Sequence, residues 1–405
     1  MDPVRNPYAP GAGQRPPELA GRDEQLTAFD VTLERVAKGR PERSVVLTGL
    51  RGVGKTVLLN ALRSAAVRAD WGSGKLEARP DQPLRRPLAA ALHMAMRELG
   101  HPQSDDVLGT VKAFAAREIG TGGRVRDRWN PGIDVPATTG RADSGDMEID
   151  LVELLTDVGG LAADLGRGVA IFVDEMQDLR PEDISALCAA CHELSQNRLP
   201  VVVVGAGLPH LPAVLSASKS YSERLFRYSR IDRLDRAAAD QALASPARDE
   251  DVEFTPGSLA ELYAMTAGYP YFVQAYGKAV WDAAAGSPVT VEDVRVAAPD
   301  AEAELGVGFF GSRYERATPA EREYLRAMAE TAVAGGDAGE PEPDSVTTAA
   351  VAAHLDRKPQ SLSPARDSLL KKGLIYSGER GRIAFTVPHF GRYLRATAGE
   401  VYPAS

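Results

Sequence analysis

Two stretches hold residue types that can act on a phosphate ester. The first is GLRGVGKT, residues 49–56. Gly49, Gly52 and Gly54 allow backbone conformations and a close approach that a Cβ would block. Successive N–H groups, those of Arg51, Val53 and their glycine neighbours, are then turned towards the phosphates of a nucleotide. Lys55 adds positive charge and Thr56 a hydroxyl for Mg²⁺. The alternative is an ordinary Gly-rich turn between a strand and a helix. The second stretch is VAIFVDEMQDL, residues 169–179. Asp174 follows five apolar residues, as a carboxylate holding Mg²⁺ through water would. Glu175, next to it, is placed to orient or deprotonate an attacking water. The alternative is an acidic pair that caps the following helix.

Both stretches need particular elements around them. SVVLTG, 44–49, is a short β-branched run, read as a buried strand. It leads through the Gly-rich loop into a helix from Lys55 through VLLNALRSAAVRA, the context a phosphate loop requires. VAIFV, 169–173, and VVVVG, 201–205, are wholly apolar, as strands of a parallel sheet covered on both faces are. KLEARP, 75–80, is a candidate second strand. RRPLAAALHMAMREL and IDLVELLTDVGGLAADL are helices by periodicity. Residues 119–147 are rich in Gly, Pro and Asp without periodicity, and a loop of that length is expected to be mobile or functional.

After about Arg233 the strand pattern stops. Four short helices are expected: RAAADQALASPA, PGSLAELYAMTAG, PYFVQAYGKAVWDAAA and TVEDVRVAAP. PAEREYLRAMAETA, TTAAVAAHLD and SLSPARDSLLKKG are three more, with LIYSGERGRIAFTV as two strands about a Gly-rich turn. Three helices and a hairpin are the order of a winged helix-turn-helix. The expected division is an extended segment 1–20, an α/β core 21–233, a helical unit 234–305 and a winged helix 313–398.

Composition narrows the functional classes. The chain has 405 residues, 44% apolar and 25% charged, ordinary for a globular protein of two or three domains. No apolar run is long enough for a membrane helix and the start lacks a secretory core, so the expected location is cytoplasmic. Net charge is −9, which argues against nucleic acid wrapped along the whole length. Residues 357–395 nevertheless carry nine Lys/Arg against two acids, a local footprint suited to phosphate. The two cysteines fall in CAACH, 188–192, which matches a haem-attachment pattern. Ile184, Leu187, Cys188, Cys191 and Leu194 also share one helical face, which makes the thiols small core groups.

LAGRDEQL, VVLTGLRGVGKTVLL, FVDEMQDL and AGYPYF together resemble the AAA+/STAND P-loop ATPases, in particular those with an origin-recognition-like ATPase domain. The resemblance covers about residues 15–300. It implies an αβα P-loop core with a parallel sheet, then a helical lid, with ATP and Mg²⁺ as ligands; ATP rather than GTP rests on the resemblance, there being no guanine-reading Asn-Lys-x-Asp stretch. By the same resemblance Leu19, Gly21 and Arg22 lie near the adenine. GYPYF places Gly268 and Pro270 near the nucleotide, though Pro270 also suits a first helical position. Arg224 in SYSERLFRY is the candidate arginine finger, with Lys219 weaker; a surface arginine is the alternative. One departure stands out: the strand VVVVGAGLP ends in Gly205, Ala206 and Gly207, where a polar side chain is expected, which implies slow hydrolysis.

The C-terminal segment resembles winged-helix domains joined to such ATPases. Its third helix and wing would bring Ser361, Ser363, Arg366, Lys371, Lys372, Arg380 and Arg382 to DNA; these residues would otherwise solvate a surface or face a protein. Three functions are consistent with these readings: a nucleotide-gated protein that binds double-stranded DNA, a signalling switch whose winged helix docks protein, and a homo-oligomeric loader.

Overall fold

The computed structural model describes residues 1–11, 13–100, 104–116, 133–334, 345–377, 381–387 and 389–397. The expected mobile loop lies partly outside them, as does Arg380; residues 133–146, which are described, form neither helix nor strand. The chain divides into two compact units. The first holds Arg22–Gly49 and Lys55–Arg230, the second Met1–Gly21, Leu50–Gly54 and the chain from Ile231 onward.

The first unit is built on five parallel strands: β1 (Ser44–Thr48), β2 (Gly72–Glu77), β3 (Val169–Asp174), β4 (Val201–Gly207) and β5 (Phe226–Arg230). Their order is β2-β3-β4-β1-β5. Every residue of β1, β3 and β4 is buried, as expected of unbroken apolar runs lying between helical layers. Around them run α1 (Asp23–Ala37), α2 (Lys55–Arg68), α3 (Arg85–Leu99), α4 (Ser104–Ala116), α5 (Met147–Asp164), α6 (Pro181–Gln196), α7 (Leu211–Ser218) and α8 (Ser222–Leu225).

Two strands differ from expectation. β2 begins at Gly72, three residues before KLEARP, because GSG is what lets α3 approach. A Cβ at Gly72 would lie 2.6 Å from the Ala95 carbonyl oxygen, and one at Gly74 2.3 Å from that of Ala91. β5, FRYSR, is polar enough to read as loop; it survives as an edge strand paired only along β1, with just Phe226 buried. A buried ion pair fixes α3, α4 and α5 together. Arg85 donates to Asp150 Oδ2 at 2.6 Å and to the Phe114 carbonyl at 3.2 Å, its guanidinium 4.7 Å from the Phe114 ring centre. Burial opposes the Asp150 charge, but donors from Ser144 and Arg85 outweigh it and hold the carboxyl below its ordinary range.

The second unit is helical before it is mixed. α9 (Arg236–Asp249), α10 (Pro256–Thr266), α11 (Pro270–Ala283) and α12 (Val291–Glu304) pack with the N-terminal segment. That segment, expected to be extended, includes a 3-10 turn at Pro3–Arg5 and is anchored: Tyr8 donates to the Leu243 carbonyl, and Trp281 Nε1 to the Asp2 carbonyl. α12 continues without a loop through a π-helical stretch, Leu305–Gly311, into α13 (Ser312–Tyr314). Then come α14 (Pro319–Ala334), β6 (Val346–Thr347), α15 (Thr348–His354), α16 (Pro359–Lys371), β7 (Ile375–Tyr376), β8 (Arg382–Phe385) and α17 (Phe390–Thr397). β8 pairs antiparallel with both β6 and β7. β6 and α17 were not expected from the sequence.

Candidate nucleotide site

Within the first unit, Lys55, Thr56, Asp174 and Glu175 lie at the carboxyl ends of β1 and β3, whereas Arg224 precedes the amino end of β5. The Gly49 N–H donates to the Gly207 carbonyl at 3.2 Å, so the loop starts against the tip of β4. Lys55 opens α2, is only 8% exposed, and turns its Nζ back to the Gly49 carbonyl at 2.9 Å. Thr56 comes next in the first turn, where helical N–H groups and the dipole favour an anion.

Asp174 ends β3 and is 5% exposed. Its Oδ1 accepts the Glu175 N–H at 3.0 Å, and its Oδ2 lies 4.0 Å from Lys75 Nζ, which itself donates to Asn60 at 2.6 Å. Glu175 is left-handed, with φ 48° and ψ 42°. A residue with a side chain pays about 1 kcal/mol for that conformation, and here it turns the chain sharply off the strand. Gln177, in the 3-10 turn Met176–Asp178, donates to Glu175 Oε2 at 2.6 Å and accepts the Leu208 N–H at 3.1 Å. A hydrogen-bonded series thus runs across the carboxyl ends of β3 and β4, from Asp174 through Glu175 and Gln177 to the backbone just beyond β4.

These residues fit a magnesium nucleotide. Among the described residues no group of three His, Cys, Asp or Glu could hold a metal by itself. Mg²⁺ commonly takes one or two protein oxygens with phosphate and water for the rest; Thr56 and Asp174 are the residues that would hold it.

The second unit holds the remaining loop residues. Gly52 and Gly54 have φ of 83° and 89°, open to glycine and strained for other residues, and a Cβ at Gly54 would meet nothing within 4 Å. The Arg51 N–H, expected to face a phosphate, instead donates to the Thr386 carbonyl at 2.9 Å, and the Gly52 carbonyl accepts the Tyr271 N–H at 3.3 Å. Tyr271 stacks on Phe309 of the π-helical stretch, ring centres 4.6 Å apart. Pro270 is the first residue of α11, so its helix-start role holds. The Gly268 carbonyl accepts the Leu234 N–H at 2.8 Å, and Leu234 also lies beside Gly21. Leu19 is half-buried. Arg22 belongs to the first unit, 7% exposed, just before α1.

The other candidates are spread over both units. Arg224 is exposed on the four-residue α8. Lys219 donates to Glu148 at 3.1 Å. Cys188 and Cys191 are free thiols inside α6, both buried. In the C-terminal segment Lys372 donates to the buried Glu321 at 2.6 Å, Arg366 bonds Asp367, and Arg382 is braced on Ser345. Ser361 and Ser363 bond carbonyls within α16's first turns, and Lys371 is exposed at its end. Lys75, Asn60 and Gln177 are the site residues that sequence reasoning missed; only a fold that brings β2, α2 and β4 to Asp174 and Glu175 reveals them.

Residues 18–204 match the AAA ATPase domain family, and residues 307–394 match a domain of unknown function (DUF8462). No curated protein matches the chain. The Walker-type ATPase paby2304 of Pyrococcus abyssi is similar in fold, with TM-score 0.55 at 16% identity over 94% of this chain and 97% of that one. The RuvB Holliday junction branch migration motor of Thermotoga maritima gives 0.45 at 17% identity, covering 96% and 100%. Cdc6p of Pyrobaculum aerophilum gives 0.43 at 13%, covering 98% and 97%.

Proposed function

From a chain that carries an AAA ATPase domain over residues 18–204, we propose an ATP-driven conformational switch whose C-terminal segment is a winged helix that contacts DNA. The observation that carries the ATPase reading is the strand end where the series Asp174, Glu175, Gln177 reaches the tip of β4, against which the phosphate loop starts. Lys55 holds the phosphates with loop N–H groups other than those of Gly49 and Arg51, which bond the Gly207 and Thr386 carbonyls. Thr56 and Asp174 would hold Mg²⁺, which would supply charge neutralisation on the phosphate oxygens. Glu175 takes a proton from water as the water oxygen bonds to the γ-phosphorus and the bond to the ADP oxygen breaks. Leu19, Gly21, Arg22, Gly268 and Pro270 bind the rest of the nucleotide, and Arg224 serves as an arginine finger towards a second copy.

The DNA reading rests on the order α14, β6, α15, α16, β7, β8, which is that of a winged helix, and on α16 with its serines, Arg366 and Lys371 as the groove helix. One observation favours a second reading. The Thr386 carbonyl, just after β8, takes the Arg51 N–H of the phosphate loop. A C-terminal segment that engages the loop itself suits a signalling switch that docks protein.

Binding and hydrolysis of ATP test the first claim. Lys55→Ala should lower ATP affinity by about 2 kcal/mol or more, since it removes a charge-assisted bond. Glu175→Gln should bind ATP as wild type does and hydrolyse it on the order of a hundredfold more slowly. Calorimetric binding and phosphate release read the two; equal hydrolysis by Glu175→Gln would overturn the assignment of the base.

A further inference from the structure

β4 ends without a polar side chain, and the packing there gives the reason. A Cβ on Gly207 would lie 2.5 Å from Gln177 Oε1, and one on Gly205 2.5 Å from Met176 Sδ. The volume that a side chain at the tip of β4 would fill is already taken by the turn after β3. Gln177 is the polar member of that turn, and its two bonds fix its orientation. The Leu208 N–H can only donate, so the carboxamide oxygen must face it. The NH₂ group is thereby directed to Glu175 Oε2, which accepts it at 2.6 Å.

We propose that Gln177 is the positioning residue for Glu175, supplying from the β3 turn the polar group that β4 lacks. It ties one carboxylate oxygen of Glu175 to the backbone just beyond β4, so the base takes its direction from the sheet. Glu175 needs such a brace because it leaves the strand in a left-handed turn. A carboxylate held within a few tenths of an ångström of its working position loses less rate to misalignment. The inference rests on Glu175 being the base.

The test uses the full chain with Gln177→Glu, Gln177→Leu, Gly207→Ala and Glu175→Gln, measuring single-turnover ATP hydrolysis and ATP affinity. Gln177→Glu keeps the size and the acceptor for the Leu208 N–H, and so keeps any purely structural role. It loses the donor and sets two carboxylates face to face. The hydrolysis rate should fall about tenfold or more in both Gln177 variants, with ATP affinity changed less than about threefold. Gly207→Ala, whose methyl displaces the carboxamide, should slow hydrolysis in the same direction. Gln177→Leu added to Glu175→Gln should slow it no further, because the two residues act as one unit. Wild-type rates in Gln177→Glu beside a slow Glu175→Gln would overturn this inference alone. Loss of ATP affinity in step with rate would overturn it too, making Gln177 a structural or binding residue. A Glu175→Gln variant as fast as wild type would overturn both this inference and the base it serves.

Discussion

Cys188 and Cys191 show how burial decides what a reactive residue type does. Burial pushes the Cys188 thiol up to about 11 and the Cys191 thiol up to about 12. At neutral pH the thiolate, the nucleophilic and metal-binding form, is then scarce. Both thiols should resist iodoacetamide in the native protein and react once denaturant unfolds it, as read by mass spectrometry. Rapid labelling of either in the native state would contradict the buried α6 face. Lys55 and Glu175 contrast with these cysteines: their side chains are anchored at the strand tips, where a ligand phosphate would meet them. Their places at the strand ends were legible in the sequence, since Gly-x-x-x-x-Gly-Lys-Thr and an apolar run ending in Asp-Glu mark the strand, the loop and the turn by their spacing. Gln177 was not. Its role depends on the space left by Gly207, thirty residues further on, which only the β3–β4 pairing brings alongside.

At the scale of elements, apolar runs announced β1, β3 and β4 because both faces of those strands are covered. β2 was misplaced because its glycines serve α3 rather than a turn, and β5 was missed because an edge strand keeps polar residues. The α14–α16 contact makes a prediction of its own. Burial works against the Glu321 charge, but Lys372, Ser368 and the Thr318 N–H outweigh it and hold the carboxyl down to about 2. A depressed carboxyl stabilises the fold fully above its ordinary value near 4.5 and loses that contribution as pH falls towards 2. Lys372→Met should therefore cost about 2–3 kcal/mol at pH 7, having left a buried carboxylate without its cation, and should flatten the loss of stability between pH 4.5 and 2. Urea unfolding at several pH values measures both. An unchanged midpoint at pH 7 would return Lys372 to the set of surface cations available to DNA.

At the scale of the molecule, the boundary between the two units cuts through the phosphate loop: Gly49 and Lys55 fall in the first unit and Leu50–Gly54 in the second. In the second unit those loop residues bond Tyr271 and Thr386, from the helical part and from the segment after β8. A ligand that reorganised residues 50–54 would have to alter those bonds, as the proposed switch requires. A switch of this kind requires that the nucleotide bind the two states with different affinity. The most direct measurement is binding of labelled duplex DNA across a salt series, without nucleotide, with ADP and with ATP·Mg²⁺, by wild type and Glu175→Gln. The account predicts binding that weakens as salt rises and differs between nucleotide states, with Glu175→Gln held in the ATP pattern. Binding that is absent, or identical in every state, would contradict the DNA switch and move the C-terminal segment to the protein-docking reading.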